Sequence, residues 1–399
     1  MKVGSESLSR LSVDRVAVTG LGAVCSLGNC VPELVEGFLS GKSGADEIAG
    51  FDSPAARVKN LPIFKTDVPS QLALTMGNHL SLLMASVDEA LRGAAFDPGM
   101  IEPADRGFFA GMGMVDYHVE DLLPAVLKSL GPDGTIDYDR FFPEGYREIY
   151  PLWPLGMLNN VAFCQASIHF GLGGENGVFC PHGDAGVMAL YEAASALREG
   201  RVKMAVAGGV SEEISPLSLA RARLNGFPCL PGFLGEAGAM LVLEPASQAE
   251  QRGVRILGEI LGFGFSCEKS EAGSFASRRA ISSAMREALS DAGLGPAGVD
   301  LVMVGSFCQE EREAVRELFA AQSKPPVILT TPVVFGETLA AGPVLNGALA
   351  LVLPRDAKLP GDLRLASGRF NILVNGISCE GGCGSFVLTR PGRQGADIG

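Results

Sequence analysis

Histidine is scarce in this chain. The sequence of 399 residues contains four histidines, and His182 is the last of them. The second half therefore has no imidazole that could act as a base or bind a metal ion. Any chemistry assigned to that half must use other side chains.

Positive charge is also in short supply. The chain has 32 lysines and arginines against 45 aspartates and glutamates, which gives a net charge of −13. A surface that binds nucleic acid needs a concentrated basic face, because it must neutralise phosphates. The composition therefore excludes nucleic acid as an expected partner.

Long hydrophobic runs are absent. The longest apolar segments, such as Ala348–Pro354, are far too short to span a bilayer. The N-terminal segment also lacks the apolar core of a secretory signal. We therefore expect no membrane span and a cytoplasmic location.

The cysteines do not form a disulfide pattern. There are nine of them, an odd number at irregular spacings, which favours a reducing cytoplasm. Cys379 and Cys383 would need two further ligands to bind zinc, so we interpret them as ordinary thiols. The segments Gly37–Ser43 and Gly22–Cys25 each fall short of a nucleotide-binding motif. We predict no metal and no cofactor.

An internal repeat indicates a duplicated architecture. The octapeptide VDEALRGA (87–94) has an echo in MREALSDA (285–292), and each lies in a predicted helix followed by a loop and an apolar strand. The Ala-rich helices at Ala185–Arg198 and Leu345–Pro354 are also placed alike. This order predicts two α/β halves with parallel central sheets.

Six Gly-rich segments carry a family resemblance. They are Arg15–Asn29, Gly171–Gly186, Met204–Val210, Gly232–Pro245, Phe335–Val344 and Val374–Leu388. In this order they resemble the β-ketoacyl synthases of the thiolase superfamily over residues 13–390. The resemblance implies an α/β thiolase-like fold with duplicated βαβαβ halves in five layers, in which helices lie between two sheets.

The same resemblance suggests how the chain is divided. We expect a ketosynthase-like N-terminal half at 13–245, a C-terminal half at 246–390 and an unstructured tail at 391–399. The segment Glu244–Gly253 has the composition of a surface linker between the halves.

The family's catalytic positions are occupied by residues that cannot do its chemistry. β-Ketoacyl synthases use a cysteine thiolate at a helix N-terminus, two imidazoles and a lysine. Matching the motifs places Gly183 at the nucleophile. Gly305 falls at the first histidine, Pro332 at the lysine and Glu337 at the second histidine. The family's Phe-Gly-Phe-Gly-Gly loop becomes Ile377–Cys383. We therefore expect no intact catalytic set.

Two residues leave a catalytic alternative open. Cys180 and His182 are two positions apart, and in a strand such residues point to the same face. A displaced Cys180 nucleophile with His182 as its base is thus conceivable. The competing interpretation packs Cys180 at an interface and places His182 in a turn. Glu337 and Asp184 are interpreted as helix caps.

The favoured function is that of a non-catalytic subunit. Family members called chain length factors lack the nucleophile and dimerise with an active ketosynthase, and most have glutamine where Gly183 stands, so a priming decarboxylase role is not supported. One alternative is an active β-ketoacyl synthase, an acyltransferase, that uses Cys180. The other is an acyl-binding homodimer.

The resemblance also suggests the partners and the interface. The partner is an active ketosynthase or a second copy of this chain, and an acyl carrier protein is expected to dock through that partner. Family dimers pair the strand before the nucleophile, here Gly177–Cys180. We expect Leu152, Trp153 and Met157 to lie at the interface and bound the acyl tunnel, with ordinary core packing as the alternative.

Overall fold

The computed structural model describes residues 14–48, 54–62, 64, 77–116, 119–211, 214–226, 232–271, 275–354 and 368–392. The strands are β1 Val16–Cys25, β2 Ala55–Ala56, β3 Arg106–Met112, β4 Asn176–Phe179, β5 Met204–Val210, β6 Leu234–Gly235, β7 Ala237–Pro245, β8 Gly258–Cys267, β9 Leu301–Val304, β10 Val327–Thr330, β11 Phe370–Ile377 and β12 Gly382–Arg390. The helices are α1 Val31–Leu39, α2 Gly77–Gly93, α3 Val119–Lys128, α4 Tyr138–Phe141, α5 Trp153–Gly156, α6 Asn159–Phe170, α7 Gly183–Arg198, α8 Pro216–Leu224, α9 Ala246–Arg252, α10 Arg278–Asp291, α11 Gln309–Phe319, α12 Pro332–Phe335 and α13 Gly342–Val352.

Ten strands form one sheet with matching halves. Their order is β10-β9-β11-β12-β8-β1-β7-β5-β3-β4, and the halves join where β1 pairs antiparallel with β8. In each half two antiparallel pairings near the join are followed by parallel outer pairings. The prediction of parallel central sheets was therefore right only for the outer strands. A turn of residues 378–381 joins β11 to β12, and so short a connection requires antiparallel pairing.

The echoed octapeptides lie in equivalent helices. α2 packs on β1, where a Cβ atom at Gly20 would lie 2.1 Å from the carbonyl oxygen of Ala90. α10 packs on β8 in the same way, and a Cβ at Gly262 would lie 2.7 Å from the carbonyl oxygen of Ala288. Glycine on each strand thus allows its helix to approach closely.

The two equivalent helices also share a glutamate that binds the neighbouring strand. Glu89 Oε2 on α2 accepts a hydrogen bond of 2.9 Å from the backbone N–H of Ala23. Glu287 Oε2 on α10 accepts one of 3.0 Å from the backbone N–H of Phe265. The same glutamate of each octapeptide therefore binds the same kind of strand amide, and the internal duplication predicted from the sequence is confirmed.

The Ala-rich helices α7 and α13 form the central layer. α7 contacts β3 and β5 of the first half and β11 and β12 of the second, and α13 likewise contacts strands of both halves. Gly186 allows the close packing, since a Cβ there would lie 2.1 Å from the carbonyl oxygen of Ala340. With α2 outside one half-sheet and α10 outside the other, the five predicted layers are present.

The segment expected as a surface linker is an ordered helix. α9 buries Ala246 and Ala249, and Glu244 just before it is fully buried. Glu244 accepts a hydrogen bond of 2.7 Å from Thr19 Oγ1 and pairs with Arg252 at 3.3 Å. The linker interpretation was wrong because small side chains and a buried ion pair fix this segment on the core. The boundary at 245/246 stays a prediction.

Two further expectations concern the ends and the surroundings of the chain. Pro391 and Gly392 follow β12 without regular structure, and residues 393–399 of the predicted tail lie outside the described residues. None of the described helices is long and apolar enough to cross a bilayer.

Candidate functional site

Three of the four family positions meet at the N-terminal end of α7. Gly183 is the first residue of α7, Gly305 follows β9, and Glu337 follows α12. They surround a cavity of about 10 Å³, which is room for about one water molecule. Its lining consists of Gly183, Gly305, Ser306, Glu337, Leu339, Pro343, Asn375, Gly376 and Ile377. Pro332 begins α12 outside this lining.

Gly183 has no room for any side chain. A Cβ atom there would lie 2.7 Å from the backbone nitrogen of Ile377 and 3.0 Å from its carbonyl oxygen. The obstacle is backbone, which cannot rotate aside as a flexible side chain could. The end of β11 therefore occupies the space that a nucleophile's side chain would need.

Gly305 is closed in the same manner. A Cβ atom at this position would lie 2.7 Å from the carbonyl oxygen of Asn375. The strand that crowds Gly183 also crowds Gly305, because Asn375 and Ile377 both belong to β11. The first histidine position and the nucleophile position are thus filled by one element.

Glu337 is a buried carboxyl group. Its side chain is 3% exposed, and Oε1 accepts a hydrogen bond of 2.6 Å from the backbone N–H of Phe307. Burial raises the pKa of Glu337 to about 8, the charge of Glu311 adds to the rise, and the Phe307 amide opposes it. The carboxyl is therefore mostly neutral at pH 7. It binds a loop after β9, so the expectation that it caps the following helix was wrong.

Glu311 is a second buried carboxyl that the sequence analysis missed. It accepts hydrogen bonds from Ser306 Oγ at 2.6 Å, Ser306 N at 3.0 Å, Asn375 Nδ2 at 3.0 Å and Gly305 N at 3.2 Å. Burial raises the pKa of Glu311 and these donors lower it. Its position in the first turn of α11, six residues after the first histidine position at Gly305, was the available signal.

The two carboxyls share a site without a cation. The amides of Gly305 and Ser306 face Glu311, and the next amide, that of Phe307, faces Glu337. Within the described ranges neither carboxyl forms an ion pair with lysine or arginine, and the lysine position holds Pro332. The charge of Glu311 contributes to the raised pKa of Glu337, so the two carboxyls disfavour joint ionisation.

His182 pairs with a cysteine from the opposite half. It is the N-cap residue of α7, and its Nε2 lies 3.2 Å from Cys379 Sγ. Its Nδ1 lies 3.1 Å from Ser378 Oγ. Burial lowers the pKa of His182, with Glu380 raising it and Arg221 lowering it. The imidazole is therefore mostly neutral at pH 7.

The Cys180–His182 pair that the sequence left open does not form. β4 ends at Phe179 and His182 already belongs to the start of α7, so the alternation of a strand does not extend across both residues. Cys180 is exposed, and its Sγ lies 2.6 Å from Asn159 Nδ2. Desolvation of the sulfur raises the Cys180 pKa, which leaves it mostly a thiol.

Asp184 occupies the first turn of α7 as expected. Its Oδ1 accepts a hydrogen bond of 3.1 Å from the backbone N–H of Ala185. Burial raises the pKa of Asp184 to about 6. The N-cap residue of α7 is His182, so the expectation that Asp184 caps the helix was wrong, although Asp184 binds one amide of the first turn.

The expected interface residues lie at the surface of the single chain. Leu152 is 41% exposed and Met157 is 38% exposed, whereas Trp153 is half-buried at the start of α5. Leu158 at 47% and Ile168 at 67% are further exposed apolar side chains. Among the described strands only β3 pairs with β4, so the outer edge of β4 is open.

Comparisons with known proteins agree with one another. The family model described as "Beta-ketoacyl synthase, N-terminal domain" matches residues 13–226. The chain is 25% identical over 383 residues to the 3-oxoacyl-[acyl-carrier-protein] synthase 2 of Coxiella burnetii, covering 88% of each protein. It is 29% identical over 382 residues to the tetracenomycin polyketide synthase ketoacyl synthase beta subunit of Streptomyces glaucescens, covering 86% of this chain and 87% of the relative.

Solved structures share the fold. The chain superposes on the ishigamide ketosynthase/chain length factor with a TM-score of 0.75 at 21% identity, covering 96% of this chain and all of the other. It superposes with a TM-score of 0.73 at 20% identity on the structure "AntDE:AntF (apo)", described as a type II PKS acyl-carrier protein in complex with its ketosynthase, covering 95% of this chain and all of the other. The thiolase-like fold is therefore shown.

Proposed function

Because the chain belongs to the β-ketoacyl synthase family, we propose that it is a non-catalytic subunit of the chain length factor type. It pairs with an active β-ketoacyl synthase and shapes the acyl tunnel of the pair in fatty-acid or polyketide biosynthesis. The observation that carries the proposal is the closure of Gly183, where the backbone of Ile377 stands 2.7 Å from the place of a Cβ.

The other residues around the cavity at Gly183 support the same conclusion. Condensation requires an acylated thiol and groups that stabilise the enolate formed when a malonyl unit loses carbon dioxide. Gly305 has no room for an imidazole, and Glu337 offers a carboxyl in its place. If Glu337 ionises, its charge repels the malonyl carboxylate. The cavity of about 10 Å³ also has no space for an acyl group.

The edge of β4 supports pairing. An unpaired edge strand next to exposed apolar side chains is a liability in an isolated protein and a template for association. Leu152, Met157 and Ile168 are exposed apolar side chains, and α6, which carries Ile168, contacts β4. We propose that Leu152, Trp153 and Met157 contact the partner and bound the tunnel, and that Cys180 lies within the same interface.

The similar proteins agree with a subunit role. One solved relative is described as a ketosynthase/chain length factor and one curated relative as a ketoacyl synthase beta subunit. Another solved relative is described as a complex with an acyl carrier protein. For this chain we propose that a carrier protein docks through the partner in the cytoplasm, since a net charge of −13 suits an acidic carrier poorly.

Native mass spectrometry tests the pairing. The tagged chain is co-expressed with an active ketosynthase, preferably one encoded beside it, and the purified assembly is weighed. We expect a one-to-one heterodimer of this 41.6 kDa chain with the ketosynthase. A stable dimer of two copies of this 41.6 kDa chain, without bound ketosynthase, would instead favour the acyl-binding homodimer. A strict monomer would contradict both.

A further inference from the structure

We propose that Cys379, His182 and Ser378 form an acyl-accepting site, in which the Cys379 thiol takes an acyl group from a thioester. This inference goes beyond the proposed subunit role, because it assigns this chain a covalent step of its own. That step forms no carbon–carbon bond and therefore does not require the missing condensation groups.

The geometry satisfies the requirements for an activated thiol. A nucleophile needs a base within hydrogen-bond reach, and that base needs a third group to orient it. Cys379 Sγ lies 3.2 Å from His182 Nε2, and His182 Nδ1 lies 3.1 Å from Ser378 Oγ. When the ring carries its proton on Nδ1 it donates to the serine, and Nε2 is then available to accept the thiol proton.

The pair lies beside a helix terminus. Cys379 contacts the side chain of His182, which is the N-cap residue of α7, a helix of 16 residues. The family's nucleophile position at Gly183 therefore has a thiol near the same helix terminus, supplied by the opposite half of the chain.

The surroundings suit an apolar acyl chain. Cys379 packs in a cluster with Leu219, Ala222 and Phe275. It also lies in the turn of residues 378–381 between β11 and β12, one residue before the exposed Glu380. Cys379 is 6% exposed, so a thioester can reach its thiol only when this turn moves.

The reaction balances without an oxidant or a cofactor. His182 Nε2 accepts the proton of the Cys379 thiol, and the sulfur attacks the carbonyl carbon of the thioester. The tetrahedral intermediate then expels the thiol of the donor, which takes the proton back from His182. The products are acyl-Cys379 and one free thiol.

Time-resolved intact and peptide mass spectrometry tests the inference on the lone, full-length chain. The probe is S-octanoyl-N-acetylcysteamine, a thioester of a medium acyl chain. We expect one octanoyl adduct, on Cys379. Cys308 is fully buried, Cys383 is 2% exposed, and neither contacts an imidazole among the described residues. Their acylation rates therefore report how fast buried thiols become accessible when the fold opens. Acylation of Cys379 no faster than that of Cys308 would overturn the inference. An adduct on another residue only, or no adduct at all, would overturn it as well.

Variants separate the roles of the three residues. His182→Asn should slow acylation of Cys379 by about 100-fold or more, the range for loss of a general base. Ser378→Ala, which changes a positioning residue, should slow acylation less and shift the pH profile of the rate. Glu380 and Arg221 also affect this profile, because their charges act on the pKa of His182. Cys379→Ser should abolish the adduct, whereas Cys267→Ser at an exposed position should keep it. An unchanged rate in His182→Asn would contradict the inference.

This outcome is independent of the proposed function. Acylation is measured on the lone chain, whereas pairing is measured without any acyl donor. A chain that pairs but is not acylated keeps the subunit role and loses the acyl-accepting site. A chain that is acylated but does not pair gives the opposite result.

Discussion

The start of α7 and the outer edge of β4 are close in the sequence but differ in packing: the first is tightly filled and the second is unpaired. At Gly183 the backbone of β11 fills the space that a side chain would need, with Ile377 N 2.7 Å from a Cβ position. At β4 the edge is unpaired among the described strands, and the neighbouring helix α6 carries exposed Ile168. The contrast supports the proposal that the family's catalytic position is closed in this chain and that an edge for association is open.

The opposite end of the sheet sharpens this contrast. β10 is the equivalent edge strand of the second half, and the residues directly before it are Lys324, Pro325 and Pro326. Lysine and proline are typical devices that protect an edge strand from pairing. β4 has neither lysine nor proline in the residues immediately preceding it. Equivalent strands are thus protected at one end and available at the other.

The largest expected effect concerns the open edge. The double change Leu152→Asp with Met157→Asp should weaken pairing with the ketosynthase by about 100-fold, on the order of 3 kcal/mol, because charges would be buried in an apolar interface. The matched control is Ile328→Asp with Val333→Asp at the protected end, where the exposures are 40% and 53% against 41% and 38%. Equal dissociation constants for the two double variants would remove the distinction between the edges.

The next effect concerns the closed centre. Gly183→Ala should lower the free energy of unfolding by about 1–3 kcal/mol, since the added methyl collides with backbone. The measurement is urea denaturation, with the midpoint compared at constant slope. Gly295→Ala is the control, because a Cβ there meets nothing within 4 Å. Unchanged stability of Gly183→Ala would show that the centre can reopen to take a side chain.

The smallest effect is a pH dependence. Burial raises the pKa of Glu337 to about 8 from an ordinary 4.5, so the folded state holds its proton more tightly than the unfolded state. Stability therefore falls as pH rises from about 4.5 to about 8. Glu337→Gln should flatten this decline, with Glu311 retaining its own part.

The measurement for this pH dependence is the free energy of unfolding across pH 5 to 9. The exposed Glu102→Gln serves as the control. An identical pH profile in wild type and Glu337→Gln would show that the carboxyl is solvated, and that the centre is less closed than the contacts indicate.

Local signals in the sequence predicted the scaffold. The octapeptides at 87–94 and 285–292 identified equivalent helices, because alanines that face strand glycines and a glutamate that binds a strand amide leave the same pattern twice. The motif positions also placed Gly183, Gly305 and Glu337 at one cavity. Short-range patterns of this kind follow from packing within one helix–strand unit.

Long-range contacts could not be predicted in this way. His182 and Ser378 are 196 positions apart, and nothing near either residue in the sequence points to the other. Cys180 was considered as the partner of His182 because residues two positions apart in a strand share a face, but β4 ends at Phe179, before both of them. Glu311 was missed because an acidic residue in a first helical turn is ordinarily a solvated cap.

The most direct test measures carbon–carbon bond formation by the reconstituted pair after the nucleophilic cysteine of the ketosynthase partner has been changed to alanine. Acyl and malonyl thioesters of an acyl carrier protein are supplied, and the elongated product is quantified by mass spectrometry. The closed centre at Gly183 predicts no elongated product from this pair and normal product from the pair with the intact partner. Elongated product that persists without the partner's cysteine would contradict the account, because this chain would then be condensing acyl groups itself.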